Sequence, residues 1–253
     1  MAISLEEVRR RILIAMFSDD ELMDELVLKG GNALALIYHV GSRASLDMDF
    51  SIASAFPDLA DASERILGAL TKEFASIGYT VIDGKFEVKP SQRSRSQPEW
   101  WGGYIVEFKL VEQSLFEELR GDMQAVRRRA ETLGPLQRRT YTIDISRDEF
   151  CEGKVQREFD DYIVYVYSLE MIAAEKLRAI CQQMSGYSFG RTKKPRARDF
   201  YDIQQVISKN GVNLATPDNL AMVGAVFAAK QVPLSLLGEI HIRRLPALGV
   251  QID

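Results

Sequence analysis

Residues 26–52, LVLKGGNALALIYHVGSRASLDMDFSI, contain the pattern from which the fold is predicted. The short apolar run at the start predicts a buried strand, and the Gly30-Gly31 pair permits a turn. The apolar residues that follow have the spacing of a helix, and the alternation in LDMDFSI predicts a second strand. The stretch therefore predicts a strand, a glycine turn, a helix and a further strand in that order.

The remaining sequence predicts an α+β fold. A first helix with Ser4 as its N-cap is followed by helices and strands up to about residue 165, including a hairpin with its turn at Asp83-Gly84. From Ser168 onward the pattern is that of helices alone. We therefore predict a mixed-sheet core in residues 1–165 and a helical C-terminal domain in residues 166–253 that completes the active site.

Composition limits the classes of function. The 253 residues include 32 lysines and arginines against 36 acidic residues, and this balance argues against indiscriminate binding of nucleic acid through overall charge. Two cysteines are too few for a disulfide framework and favour a reducing compartment. No apolar run is long enough to predict a membrane span, so we expect a cytoplasmic protein without membrane contacts.

Asp47 and Asp49 stand two residues apart in the predicted strand and should project from one face, roughly 6.5 to 7 Å apart. Two carboxylates at that range can share divalent cations, as two-metal phosphoryl transfer requires. Mg2+ takes oxygen ligands and is commonly bound by one or two carboxylates together with phosphate oxygens. We predict both residues as ligands of Mg2+ or Mn2+; the alternative interpretation is a solvated strand edge.

The glycine pair upstream favours the metal interpretation. Glycines that open a helix let backbone N–H groups approach phosphate oxygens closely, and the helix dipole favours negative charge there. Lys29 adds a positive charge beside Gly30 and Gly31. The three residues are candidates for binding the phosphates of a nucleotide.

Four ordered motifs in residues 26–207 resemble those of a known family. They are KGGNAL, RASLDMDF, YSLEMIAAEKLRAI and RARDFYDI. Together they are similar to the AbiEii/AbiGii toxin group within the DNA polymerase beta-like nucleotidyltransferase superfamily. The chain differs from the pattern at Asn32, where Thr or Ser is commoner, and in a longer loop between Lys176 and Asp199.

The resemblance implies a nucleotidyltransferase core fold and a set of functional residues. Ser45, Asp47, Lys176 and Asp199 would form the functional core, with Ser45 and Lys176 binding the nucleotide and Asp49 acting as the second metal carboxylate. The departure at Asn32 affects the expected contact to the triphosphate. The longer loop affects substrate preference.

Lys176 can also be judged from the residues alone, because it falls on or beside the apolar stripe of its predicted helix. A buried ammonium needs partners, which a nucleotide phosphate, Asp199 or both could supply; snorkelling to the surface is the alternative. Asp199 lies in the first turns of the next helix, where an acid is favoured by the dipole anyway. Arg196 and Arg198 flank it, and an anionic ligand would explain cations at that helix end.

A polymerase-like nucleotidyltransferase needs a third carboxylate to orient or deprotonate the attacking hydroxyl. Asp144 in TYTIDIS and Glu107 in YIVEFKLV are both acids within apolar strands. The family pattern places an Ile-Asp strand at this point, which favours Asp144. Either residue could instead be an outward-facing strand position.

These features predict a Mg2+-dependent enzyme that transfers a nucleoside monophosphate from an NTP to a hydroxyl and releases pyrophosphate. The resemblance implies a toxin of a toxin-antitoxin or phage-defence pair, made with a separate antitoxin, and tRNA as the acceptor. Transfer to a protein hydroxyl is one alternative. A non-catalytic NTP-binding module is another.

Overall fold

The computed structural model describes residues 3–40, 47–92, 98, 100–132, 137–189 and 194–240. Its centre is a seven-stranded sheet in the order β3-β4-β5-β2-β1-β7-β6. The pairs β1/β7 and β2/β5 are parallel and the other neighbours are antiparallel. The strands are β1 (Val27–Leu28), β2 (Met48–Ser51), β3 (Tyr79–Lys89), β4 (Gly103–Glu112), β5 (Tyr141–Ser146), β6 (Lys154–Phe159) and β7 (Tyr162–Tyr167).

Helices flank this sheet, and from residue 169 the described chain is helical apart from its connections. The α-helices are α1 (Leu5–Phe17), α2 (Asp20–Glu25), α3 (Gly30–Asn32), α4 (Leu59–Ser76), α5 (Gln113–Leu119), α6 (Met123–Arg129), α7 (Leu169–Cys181), α8 (Ala197–Asn210) and α9 (Pro217–Ala228). A π-helical turn, Ala33–Ile37, continues α3, and a 3-10 helix covers Leu234–Glu239. None of the described helices combines the length and apolar character needed to cross a membrane.

The two faces of the central strands have different roles. Met48 and Phe50 of β2 are fully buried, and the Phe50 ring lies 6.3 Å from that of Phe17 in α1. Asp49 lies between them in sequence and therefore projects from the opposite face, toward α7 and α8. The apolar face holds the sheet on its helices, and the other face is free to carry polar groups.

Helix α7 joins the sheet to the C-terminal helices. Its residues Met171, Ile172 and Ala173 belong to the main core with the strands, whereas Ala174 and Cys181 pack with α9 and the 3-10 helix. Ser168 caps the helix, because its hydroxyl accepts a hydrogen bond from the Met171 N–H over 3.2 Å. The predicted mixed sheet with a helical C-terminal part is confirmed. Helix α7 contributes residues both to the core under the sheet and to the core of the C-terminal helices.

The hairpin predicted at Asp83-Gly84 is wrong. β3 continues through both residues and pairs along its length with β4, and the register shifts between Ile82 and Lys85. Asp83 has a φ of 52°, so the two residues form a β-bulge instead of a turn. Pairing of the whole strand with β4 overrides the local preference of the Asp-Gly pair for a turn.

Two elements were not predicted. Strand β6 (KVQREF) has few apolar residues and lies at the sheet edge, where one neighbour, β7, defines it. The six-residue helix α2 is capped by Asp19, whose carboxylate accepts hydrogen bonds from two backbone N–H groups. Short and polar elements of this kind give little periodicity to detect.

Candidate active site

The glycine turn lies directly against Asp49. Gly30 has a φ of +69°, a conformation that a side chain would strain, and a Cβ placed there would lie 3.2 Å from Oδ2 of Asp49. The backbone N–H of Lys29 donates to the carbonyl oxygen of Asp49 over 3.0 Å, which fixes the turn to β2. Glycine is therefore favoured at this position both by its φ and by the space that Asp49 leaves.

Asn32, where the family commonly has Thr or Ser, fixes the neighbouring aspartate. Its side-chain amide donates to the backbone carbonyl of Asp47 over 2.7 Å, and the residue is fully buried. Its Oδ1 has no hydrogen-bond partner within the described part of the chain. Asn32 thus positions Asp47 through its backbone, which is a role that the motif alone did not predict.

Asp49 and Asp144 are direct neighbours across β2 and β5. Their side chains therefore project from the same face of adjacent parallel strands, which lie about 4.8 Å apart. A cavity of about 620 Å3 opens in front of them. The predicted residues that line it are Lys29, Gly30, Gly31, Asp47, Asp49, Asp144, Lys176 and Asp199.

Burial, more than the neighbouring carboxylates, changes the proton affinity of Asp49. Burial, reinforced by the charges of Glu175, Asp144 and Asp47, raises the pKa of Asp49 to about 7, although Lys29 acts in the opposite direction. A carboxylate in such surroundings is stabilised by an added cation.

Lys176 is buried, and snorkelling to the surface is the wrong interpretation of it. Its ammonium lies 3.1 Å from Oδ1 of Asp199 and 2.6 Å from Oδ2 of Asp202. Burial would lower the pKa of Lys176, but the two aspartates more than compensate and raise it. The ammonium therefore stays charged at the cavity wall. Asp199, one of the partners predicted from the sequence, is one of the two carboxylates that hold it there.

Lys29 is less available than the sequence suggested. Its side chain is buried, and its ammonium lies 3.6 Å from Oε1 of Glu149 and 3.5 Å from Oε1 of Glu175. The residue lines the cavity but already has two carboxylate partners. A contact between Lys29 and a nucleotide phosphate stays a prediction.

The two candidates for the third carboxylate lie in different places. Asp144 lines the cavity and accepts a hydrogen bond from the Lys89 ammonium over 2.5 Å. Glu107 lines a separate, smaller cavity with Asp83 and Lys109. The geometry places Asp144 beside Asp49 and leaves Glu107 outside this group.

Two aspartates suit a divalent cation whose shell is completed by other oxygens. Among the residues that the structure describes, no group of three or more His, Cys, Asp or Glu side chains is arranged to hold a metal ion. Asp47 and Asp49 nevertheless fit the chemistry of Mg2+, which commonly takes one or two carboxylates and completes its shell with water and phosphate oxygens. The raised pKa of Asp49 marks the same position as one that a cation would stabilise.

Two residues of α8, Tyr201 and Asp202, line the cavity without having been predicted as site residues, and Arg198, which the sequence associated with an anionic ligand, lines it with them. Asp202 follows Asp199 by three positions and so lies on the same helix face, a spacing that the sequence already contained. Tyr201 is 47% exposed and offers an aromatic face to the cavity. Ser45, predicted to bind the nucleotide, lies outside the described residues.

A family model described as "Nucleotidyl transferase AbiEii toxin, Type IV TA system" matches residues 11–248. No curated protein matches the chain. Among solved structures, JHP933 from Helicobacter pylori is 20% identical with a TM-score of 0.47, and the match covers 94% of this chain and 83% of that one. A nucleotidyltransferase-like protein from Paracoccidioides brasiliensis is 16% identical with a TM-score of 0.41, covering 94% and 95%. The antibiotic-resistance factor ANT(2'')-Ia is 12% identical with a TM-score of 0.39, covering 94% and 97%.

Proposed function

The chain belongs to the AbiEii family of nucleotidyltransferase toxins, and from this premise we propose that it transfers a nucleoside monophosphate from an NTP to the hydroxyl of an RNA, with tRNA as the acceptor. The observation that carries the proposal is the meeting of Gly30, Asp49, Asp144 and Lys176 at one cavity. These residues come from four segments of the chain, and each supplies a group that nucleotidyl transfer requires.

The triphosphate would lie between the glycine turn and Lys176. The backbone N–H groups of Gly30 and Gly31 would donate to its oxygens at the start of α3, and the ammonium of Lys176 would offset its charge. Asp199 and Asp202 fix the position of the Lys176 ammonium but also balance its charge, so in this role the ammonium would be shared between the two carboxylates and the triphosphate. Tyr201 would provide a surface on which the base of the NTP stacks.

Asp144 would orient the attacking hydroxyl. The hydroxyl oxygen forms a new bond to the α-phosphorus, and its proton passes to the Asp144 carboxylate. The bond from the α-phosphorus to the oxygen that bridges to the β-phosphorus breaks, and pyrophosphate leaves with that electron pair. For this role the contact between Asp144 and Lys89 must open or be shared with the substrate.

Asp47 and Asp49 would hold Mg2+ or Mn2+, which neutralises developing negative charge on the phosphates and lowers the pKa of the attacking hydroxyl. Metal binding can be measured without any catalytic turnover. Binding of Mn2+, followed by electron paramagnetic resonance, should be weaker for Asp47→Asn than for the wild type. Equal binding by both proteins would remove Asp47 from the metal site.

RNA as acceptor is supported by the cations beside the cavity. Arg196 and Arg198 line it, and Lys194 is exposed just before them. As a member of a toxin family of toxin-antitoxin systems, the protein would be paired with an antitoxin and would act in the cytoplasm, where NTPs and RNA are present. Expression without the antitoxin should then arrest growth.

Labelled NTPs test the chemistry directly. Wild-type protein, Asp47→Ala and the control Lys72→Ala, which removes an exposed lysine of α4, are incubated with Mg2+, each labelled NTP and total cell extract. We expect label in RNA for the wild type and the control, and none for Asp47→Ala. Label in protein would favour the alternative acceptor. No label with any NTP, together with unchanged toxicity of Asp47→Ala, would favour a non-catalytic module and overturn the proposal.

A further inference from the structure

A second cavity of about 410 Å3 adjoins the one that holds the predicted catalytic residues. The two cavities share six residues in their walls, which are Lys29, Asp144, Ser146, Glu175, Ala179 and Arg196. The second also has a side of its own, lined by Lys89 and Trp101. A ligand in it would therefore contact Asp144 in a cavity that neither Asp47 nor Asp49 lines.

Buried ionic side chains from separate segments line this second cavity, and they carry an excess of positive charge. The group consists of Lys29, Glu149, Glu175, Arg178 and Lys230. Four of them are at most 8% exposed, and the side chain of Glu175 is 16% exposed. Three cations face two carboxylates, so the group as a whole is positively charged.

Both carboxylates of the group, Glu149 and Glu175, are engaged in ion pairs with its cations. Arg178 lies 3.2 Å from Glu149 and 3.3 Å from Glu175, and Lys29 contacts the same two residues. Lys230 lies 3.6 Å from Glu149 and donates to the backbone carbonyl of Arg147 over 2.6 Å. Within the described chain no further carboxylate lies within 4 Å of the three cations, and Asp49 and Asp148 act on Lys29 and Lys230 only from farther away, so the positive charge of the group is incompletely balanced.

Donor groups are also left without acceptors. The Nε of Arg178 and the Nε of Arg196 are buried and have no hydrogen-bond partner among the described residues. A buried cation without a counter-ion is costly, and a buried N–H without an acceptor adds to that cost. Both are relieved by an anion in the cavity that their side chains line.

We propose that the second cavity binds the terminal nucleotide of the RNA acceptor, with its phosphate at Arg178 and Arg196 and its base or sugar against Trp101. This inference rests on the proposed function and deepens it by assigning the acceptor a site. The hydroxyl of that nucleotide then meets Asp144 from the second cavity while the NTP occupies the first. A serine or threonine of a protein acceptor brings no phosphate, so the charge of this cavity favours a nucleic acid.

Binding of a short RNA in the absence of NTP tests the inference. The probe is a trinucleotide RNA with a fluorescent label at its 5′ end and a free 3′ hydroxyl, and its dissociation constant is measured by anisotropy. Trp101→Ala should raise the constant about tenfold or more, because stacking on an aromatic ring contributes substantially to single-strand binding. Lys89→Glu should raise it by a similar factor, since it reverses a charge at the cavity. The control Lys72→Ala should stay within about twofold of the wild type.

Two further measurements keep the outcomes distinct. A trinucleotide with uncharged methylphosphonate linkages should bind much more weakly than the natural probe if phosphate is the group recognised. A fluorescent NTP analogue should bind Trp101→Ala and the wild type equally, because Trp101 lines only the second cavity. Lys89 is about half exposed, so its replacement keeps the test available even if Trp101→Ala fails to fold.

Equal binding of the RNA probe by the wild type, Trp101→Ala and Lys89→Glu would overturn the inference. The uncharged probe binding as well as the natural one would also overturn it. Neither result would affect the proposed nucleotidyl transfer. Conversely, loss of all transfer chemistry with probe binding that still depends on Lys89 and Trp101 would remove the proposed function and leave the RNA site standing.

Discussion

Gly30 and Asp49 lie so close together that a single methyl group on Gly30 would come within 3.2 Å of Oδ2 of Asp49. This contact brings the glycine turn against the second of the two acids that follow it in the sequence. A side chain at the turn would occupy the space in which phosphate oxygens and a cation could meet the Asp49 carboxylate. The empty position is thus part of the predicted nucleotide site.

Gly30→Ala should reduce transfer at least about tenfold, because the new Cβ crowds Asp49 and because the alanine backbone must adopt a φ of +69°. The same strain should lower the free energy of unfolding by about 1 kcal/mol. The control is Gly68→Ala in α4, where a Cβ meets nothing within 4 Å. That variant should keep full activity and gain about 0.5 to 1 kcal/mol of stability from its better helix propensity. Equal activities of the two variants would contradict the role of the glycine turn.

Asp144→Asn and Glu107→Gln separate the candidates for the third carboxylate. Asp144 is the register partner of Asp49, whereas Glu107 lies in another cavity. We expect kcat to fall about 100-fold or more for Asp144→Asn and to change less than about twofold for Glu107→Gln. Single-turnover kinetics with saturating NTP measure the chemical step. A larger loss for Glu107→Gln would reverse the assignment.

Lys176→Ala should abolish measurable transfer and also destabilise the protein. It removes the cation that Asp199 and Asp202 share and leaves two carboxylates facing each other at the cavity wall. Asp202→Asn should be milder, with KM for the NTP raised about three- to tenfold, because Asp199 still holds the ammonium. Urea unfolding of each variant separates loss of fold from loss of function. Full activity of folded Lys176→Ala would show that the ammonium serves packing alone.

Asp83 should make stability depend on pH. Hydrogen bonds from Arg127 and Lys109 lower the pKa of Asp83 to about 2. A lowered pKa means that the carboxylate stabilises the fold fully above the ordinary aspartate pKa, near 4, and that this contribution is lost as the pH falls toward 2. Asp83→Asn should cost roughly 1 kcal/mol at pH 7, an amount kept small because the cluster is partly solvated.

The comparison is made by urea unfolding of wild type and Asp83→Asn between pH 7 and pH 3. Asparagine tolerates the φ of 52° nearly as well as aspartate, so the substitution isolates the charge. The difference in stability should be constant above about pH 5 and should narrow below pH 4. A difference that does not change with pH would mean that the bulge geometry matters and the ion pairs do not.

Local sequence patterns predicted the buried and exposed faces correctly where the tertiary structure did not override them. The alternation around Asp49 and the helical stripe containing Lys176 gave the correct faces, because burial of apolar residues fixes both. At Asp83-Gly84 the local turn preference lost to the pairing of a long strand. Asp202 could have been found from its three-residue spacing to Asp199, which places both on one helix face.

The buried ionic group was beyond local reasoning. Glu149 and Lys230 are 81 positions apart in the sequence, and no periodicity relates them. Their meeting depends on how α9 packs against α7. The division into domains at residues 165 and 166 stays a prediction, and the residues of α7 in the main core indicate that the first part depends on the second.

A crystal structure of the protein with Mg2+ and a non-hydrolysable NTP analogue would show whether the two aspartates and the glycine turn form the nucleotide site. We expect a metal ion bound by the carboxylates of Asp47 and Asp49, with triphosphate oxygens within hydrogen-bond distance of the Gly30 and Gly31 N–H groups. A triphosphate bound away from the glycine turn, or a metal ion that neither aspartate contacts, would contradict it.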